Sequence, residues 1–434
     1  MQRWRYFPTI IIFLLAFYSC KKEQDVSDPL IVISSPFDGQ QFGVFDEIAV
    51  RGVVSDDRKL EYVTVVLEDL NMVPVLKSYT FYPDNSTFQV DLSYAVNDVH
   101  LPSGEYYLLI RASDGVNEKN EFVRIGITAV PKKLECIYLV ESLTDKVLIQ
   151  KVDTAGNVST IMTKPPDYSA SAISSDYRLL LLCGKYSEDL TAYDVTSLQP
   201  SWNVDVINSP PFPYFENMVY DDGKLFVAYR DGHWDYYNLS GAMLTSKVTD
   251  QNWMPENFLV KDEFLITYQH EISGVDNKLV VYFLSSTAAR QDYPINLEVI
   301  KMFNQYADQY LVFGNFMGQA YVQLHDISNG YLYNPVSLPP GTITSVERLS
   351  DKEYAIAIGN NILVYDDDAA TVNTLIPGVS ASLVRFDSVN AKLYVVPQSG
   401  GGIVNMYAWP GGQYLGTINS EGTASEILFQ YNRE

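Results

Sequence analysis

Between residues 131 and 434 one pattern recurs: an apolar run that ends in a short polar turn. It reads "VLIQKVDTAGN", "LTAYDVTSLQ", "WDYYNLSGA", "LVVYFLSSTA", "YVQLHDISNG", "ILVYDDDAA" and "VNMYAWPGGQ". Anchored on Asp153, Asp194, Asn238, Leu284, Asp326, Asp366 and Trp409, the steps are 41, 44, 46, 42, 40 and 43 residues. A second track runs beside it, in which a turn precedes an apolar strand. Its anchors Asp176, Asp222, Asp262, Asp308, Asp351, Ser388 and Asn432 step by 46, 40, 46, 43, 37 and 44. Repeats of this length, each rich in strand-forming residues, are the blade lengths of a β-propeller.

The seventh member of the second track lies at the extreme C-terminus with nothing after it, whereas the repeat region begins with "LECIYLVES", a strand that lacks an innermost neighbour. A ring with an open edge would expose unpaired N–H and C=O groups, so "TASEILFQY" is expected to pair with "LECIYLVES". The expectation is a seven-bladed propeller over 131–434 closed by the C-terminal strand, six or eight blades being the alternatives. The repeat phase resembles the WD-repeat-like and YVTN-like propellers of surface proteins, although runs of WD dipeptides and YVTN tetrads are absent.

Residues 30–130 read differently. Short alternating segments such as "DEIAVRGVVSDD", "STFQVDLSY" and "EFVRIGITA" are separated by Gly, Asp, Asn and Pro at hairpin intervals, which suits a two-sheet sandwich. The patterns "SPFDGQQF" and "PSGEYYLLIRASDGVNEKNEF" resemble the immunoglobulin-like or fibronectin-like modules of bacterial surface lipoproteins. The fold class expected for the whole chain is therefore all-β: an immunoglobulin-like β-sandwich followed by a propeller.

Ahead of the sandwich, "FLLAFYSCKKEQDVSD" ends an apolar run on Cys20 and follows it at once with charge. The run from Thr9 to Tyr18 would be about 15 Å long as a helix, half of what crosses a bilayer core. With Arg3 and Arg5 before it, the segment 1–19 reads as a secretory signal peptide. Cysteine after a small residue, Ser19, resembles the lipobox of bacterial lipoproteins, which implies acylation (palmitate among the chains) at Cys20 and a lipidated tether over 20–29. Several acyl chains hold durably where one holds marginally. Lys21, Lys22 and Glu23 resemble the export signal of Bacteroidota surface lipoproteins, which implies an outer-membrane, cell-surface location. The alternative is an ordinary signal peptide with an incidental cysteine.

The net charge of −23 becomes −25 once Arg3 and Arg5 leave with the signal, so nucleic acid and anionic lipid surfaces are excluded as partners. Cys136 and Cys183 both lie in strand-like apolar runs and are expected to be buried thiols rather than a disulfide.

Sequence motifs for catalysis are missing: there is no phosphate-binding G-x-x-x-x-G-K-[ST] loop, no G-x-S-x-G elbow and no C-x-x-C. "HEISG" at His270 lacks the second histidine of a zinc helix, and His233, His270 and His325 would have to converge from different repeats to hold a metal. "DDD" at Asp366, Asp367 and Asp368 reads as a solvated turn. Counting back six residues from Asp222, Asp262 and Asn432 lands on Glu216, Glu256 and Glu426, which would set three carboxylates at one level of the channel mouth, where a cation or a basic or polyhydroxyl ligand could bind. The alternative is that they satisfy backbone donors where loop enters strand.

Proline-stiffened loops such as "NSPPFPYF" and "TDQNWMPEN" share that side of the ring, and they supply Tyr168, Phe212, Tyr214, His233, Trp234, Trp253 and His270 as an expected ligand-binding surface. No resident cofactor is expected. The function these features favour is a binding module for a glycan or protein ligand. The alternatives are a propeller lyase or hydrolase using the channel glutamates with a histidine, and a structural subunit of an outer-membrane complex.

Overall fold

The computed structural model describes residues 27–207, 212–221 and 223–432. Cys20, its leader and Asp222 lie outside the described residues. The chain divides into two compact units at Pro131 and Lys132. Both are built of strands only, and no helix among the described residues is long and apolar enough to cross a membrane.

In the first unit, Leu30–Ser35, Glu47–Ser55 and Thr87–Ala95 form one sheet, while Gln40–Gly43, Glu118–Thr128, Gly104–Ser113, Tyr62–Glu68 and Tyr79–Phe81 form another. Alternation decides which face is buried. Along Glu47–Ser55, Ile48, Val50 and Val54 turn inward while Glu47, Ala49, Arg51 and Val53 stay out, the period-2 signature of a half-buried strand. Ile48, Val50 and Val54 of the first sheet share one core with Val63, Leu67, Leu108 and Ile110 of the second, so the two sheets lie face to face with apolar side chains between them.

Among the described residues the second unit contains seven antiparallel sheets. Six follow one another along the chain, and their first strands are Ala170–Ser174, Phe215–Asp221, Trp253–Lys261, Glu298–Asn304, Ile343–Arg348 and Ala381–Asp387. The remaining sheet joins the two ends of the unit: Val158–Lys164, Val147–Asp153, Leu134–Ser142 and, beside the last, Glu426–Tyr431. Pairing runs from Glu426 opposite Val140 to Tyr431 opposite Leu134, as the unpaired-edge argument requires. The first strands touch in cyclic order, and Glu426–Tyr431 contacts both Ala381–Asp387 and Ala170–Ser174. Radial sheets around a ring of innermost strands make this unit a β-propeller.

Local chemistry explains the repeat. Asp153, Asp194, Asn238 and Asp326 close the turn between third and fourth strands by accepting backbone N–H bonds, Asp153 from Ala155 and Asn157, Asp194 from Thr196 and Ser197. Such Asx turns pin a hairpin where the chain must reverse, and the bonds from Asn157 and Ser197 hold the Asp153 and Asp194 carboxyls below their usual range. Between the turns, second strands such as Leu179–Cys183 are buried at every position because neighbouring sheets cover both faces, whereas outermost strands such as Met243–Val248 are largely exposed. Cys136 and Cys183 are free, buried thiols, and burial pushes both thiol pKa values up.

His325, on the third strand of its sheet, is 2% exposed, stacks on Tyr310 and has Nδ1 3.2 Å from the Tyr310 hydroxyl. Burial lowers its pKa to about 3. Below pH 6.5 the unfolded chain therefore takes up a proton that the fold refuses, and stability is lost as pH falls toward 3. At pH 5 the loss is about 2 kcal/mol. Replacing His325 with Gln keeps a partner for Tyr310 and should flatten the fall of Tm between pH 7 and pH 5. An unchanged acid limb would refute this.

Candidate functional site

The innermost strands wall a central channel of about 580 Å³. The starts of those strands and the hairpins joining second to third strands emerge together on one face. Two tiers of polar groups result, one on the loop face and one inside the channel.

Backbone irregularities separate the tiers. Pairing between first and second strands jumps from Phe215 to Asn217 and from Pro255 to Asn257, so Glu216 and Glu256 are extra residues at β-bulges, which re-aim a side chain. Glu216 reaches Lys185 at 3.3 Å and Arg230 at 3.8 Å. Glu256 lies 2.7 Å from His270 Nδ1. Glu426 is paired in register with Val140, and its carboxylate lies in the channel, taking two 2.6 Å hydrogen bonds from Arg385. The expectation of three carboxylates at one level is therefore corrected. Two sit on the loop face, one lies deeper, and each already has a basic partner, so the charge that would attract a cation is spent. Among the described residues no group of His, Cys, Asp and Glu is arranged to hold a metal.

The aromatic residues also divide. Trp234 is wholly buried, edge-on to Phe226, Phe258 and Tyr282. It belongs to the core between two sheets and cannot meet a ligand, which corrects the sequence expectation. Strand parity is the reason: its neighbour His233 stays partly exposed and stacks on Tyr229 with ring centroids 3.9 Å apart, beside Asp231. Tyr214 is half-buried, edge-on to Phe215 and Tyr229. Tyr168 lines the channel and shares a 2.9 Å hydrogen bond with Ser171. Burial, then the Glu426 charge, raises its pKa. Phe212 is 71% exposed.

Trp253 is the residue that most resembles a ligand anchor. It is half-buried beneath the Lys278 ammonium, 4.6 Å from the ring centroid, in a cleft of about 730 Å³ that Asp250, Val275, Pro294 and Phe316 also line. Two second-to-third-strand hairpins add apolar tips that the sequence reading did not single out, Val275 at 92% and Met317 at 89% exposure. The signal was present in "EISGVDN" and "NFMGQ", where apolar residues stand inside a polar turn.

The Glu256 and His270 pair has its own chemical potential. In the tautomer whose Nδ1–H donates to the carboxylate, Nε2 is left with its lone pair free and its direction fixed by that bond.

No protein-family model matches the sequence, and no curated protein sequence matches it. Among solved structures, a hydrazine synthase chain from Kuenenia stuttgartiensis is similar with TM-score 0.50 at 11% identity, over 65% of this chain and 98% of that one. A quinonprotein alcohol dehydrogenase-like protein from Bacteroides thetaiotaomicron covers 92% of this chain and 99% of its own at TM-score 0.48 and 12% identity. BamB from Moraxella catarrhalis follows at 0.44 and 11%, over 67% and 92%. The last two are β-propeller proteins. At such identities likeness concerns fold alone; the β-propeller fold of the second unit rests on its own sheet order and ring of first strands.

Proposed function

We propose that this chain is a cell-surface lipoprotein that binds a glycan or protein ligand through the loop face of its propeller. In this reading the signal peptide 1–19 is removed, Cys20 is acylated and anchors the chain in the outer membrane, and residues 20–29 are a tether. An immunoglobulin-like β-sandwich over 30–130 then precedes a seven-bladed propeller over 131–434. Seven sheets, cyclic contact of their first strands and the pairing of Glu426–Tyr431 with Leu134–Ser142 support the blade count. Two facing sheets around one core support the sandwich.

The observation that carries the binding role is the cleft at Trp253, within the size range of ligand sites and flanked by exposed Val275. A concave cleft that joins an aromatic ring and apolar residues to a few charged groups is the usual build of a ligand site. A ligand would be identified by screening polysaccharides and outer-membrane proteins against the full chain. Trp253→Ala should then weaken its binding by about 1–3 kcal/mol, with little change in Tm because the ring is half-exposed. A drop in Tm with unchanged affinity per folded molecule would move the site elsewhere.

Anchoring is tested separately. Cys20→Ser should leave the fold intact and move the protein from the membrane fraction to the soluble one, since acyl chains supply retention. Unchanged membrane association would sink the lipoprotein reading.

The second reading, a lyase or hydrolase, is favoured by the 2.7 Å approach of Glu256 and His270. His270→Ala separates the two: an enzyme would lose turnover of a bound glycan and keep its affinity, whereas a binding module has no turnover to lose.

A further inference from the structure

The channel wall carries Asp221, Lys301, Arg385 and Glu426, and Glu347 lies beside Arg385; the loop face uses none of these charges. Arg385 takes up two of the carboxylates, bonding Glu426 through two 2.6 Å contacts and lying 3.5 Å from Glu347. Lys301 lines the same channel, yet it has neither a hydrogen bond nor an ion pair among the described residues. Its Nζ lies 6.0 Å from the Phe303 ring, and burial lowers its pKa.

The adjoining strand supplies a second donor. Asn257 and Lys301 are each the first residue to regain pairing after a bulge, so they stand at the same level on neighbouring innermost strands. The Asn257 amide oxygen accepts from Phe258 N–H at 2.9 Å, and its amide nitrogen has no partner among the described residues. Other polar groups near this level are occupied: Asn217 donates to the Glu256 carbonyl and accepts from Met218, and Ser171 bonds Tyr168. Elsewhere the wall mixes apolar residues, Ile173, Val219, Leu259 and Leu428, with polar ones, Tyr220, Asp221 and Ser425.

Lys301 Nζ and Asn257 Nδ2 face the channel half-buried, with no acceptor among the described residues, and donors that converge beside apolar side chains are how small-molecule sites are built. The geometry points to a second site, inside the propeller channel: it takes a small carboxylate with an apolar body, its oxygens on Lys301 Nζ and Asn257 Nδ2 and its body against Leu259, Val219 and Ile173. The volume of about 580 Å³ accommodates a molecule of that kind. This site is independent of the ligand on the loop face.

Octanoate and 3-phenylpropanoate, each beside its neutral amide, would be titrated into the full chain by calorimetry and followed by thermal shift. Both carboxylates should bind and raise Tm, and the amides should bind at least tenfold more weakly. Lys301→Met should lower carboxylate affinity at least tenfold. Asn257→Asp, which keeps the acceptor for Phe258 N–H and adds a repelling charge, should do the same should Lys301→Met fail to fold. Trp253→Ala should leave this binding unchanged. No binding of either carboxylate at 10 mM, equal binding of carboxylate and amide, or equal affinity in a folded variant would overturn the proposal.

Discussion

Deletion of residues 425–434 is expected to abolish cooperative folding of the propeller unit and leave aggregated protein. The strand Glu426–Tyr431 contributes a full ladder against Leu134–Ser142 and buries Ile427, Leu428 and Tyr431 at 1%, 9% and 7% exposure. Each such side chain contributes roughly 1.5–3 kcal/mol by burial, against a total stability of roughly 5–15 kcal/mol for a domain. Closing bonds go with it: Tyr431 N–H donates to Ser175 Oγ at 3.0 Å, and the Tyr431 hydroxyl donates to Asp387 at 2.8 Å. The strand Leu134–Ser142 would be left as a bare apolar edge, which templates association. Calorimetry and light scattering would decide. A soluble truncation with a single sharp melt near the wild-type Tm would mean that this strand does not hold the ring together.

Arg385→Leu should be the most damaging single substitution in the channel. It strips Glu347 and Glu426 of their guanidinium partner, and both side chains are about four-fifths buried. Uncovering a buried charge in this way costs about 3–5 kcal/mol, a drop in Tm on the order of 5–10 °C. The sign of the pH response follows. Burial already raises the Glu347 pKa, so without Arg385 that carboxyl prefers to be protonated, and the deficit relative to wild type should shrink as pH falls toward 5. Adding Glu347→Gln and Glu426→Gln to Arg385→Leu should recover most of the lost stability. Urea melts at pH 7.5 and pH 5.5 test this, and a deficit that grows toward low pH would refute it.

The repeat and its closure were legible because their signals are local and periodic. An aspartate or asparagine caps most of these hairpins, as Asp153 and Asp194 do, and the strand between turns must be apolar because it is covered on both faces. The level of the three glutamates was not legible. A bulge inserts one residue without any compositional mark, so counting back from Asp222 and Asp262 reached the extra residues Glu216 and Glu256, while the same count along a strand without that bulge reached the in-register Glu426. Trp234 failed for a related reason: its side of the strand is set by pairing with Ala228, and neither residue type nor loop proximity reveals that. The channel charges Lys301, Glu347 and Arg385 had a readable signal, charges set among apolar residues in "VIKMF", "SVERL" and "LVRFD", but it gains meaning only when ring closure brings distant strands together.

Closing the ring with the chain's last strand also constrains the order of events during synthesis. Asn432 accepts a hydrogen bond from the backbone N–H of Lys133, 299 residues earlier. The strand Leu134–Ser142, the first of its unit to leave the ribosome, must therefore wait for the final residues before its inner edge is covered. Contacts so remote in sequence are slow to form, and an uncovered apolar edge is exposed to misassembly in the meantime. A circular permutant of residues 132–432 that begins at residue 422 and joins residue 432 to residue 132 through a flexible linker would supply both edges of that sheet together, and it should refold faster than residues 132–432 in the natural order while reaching the same native state.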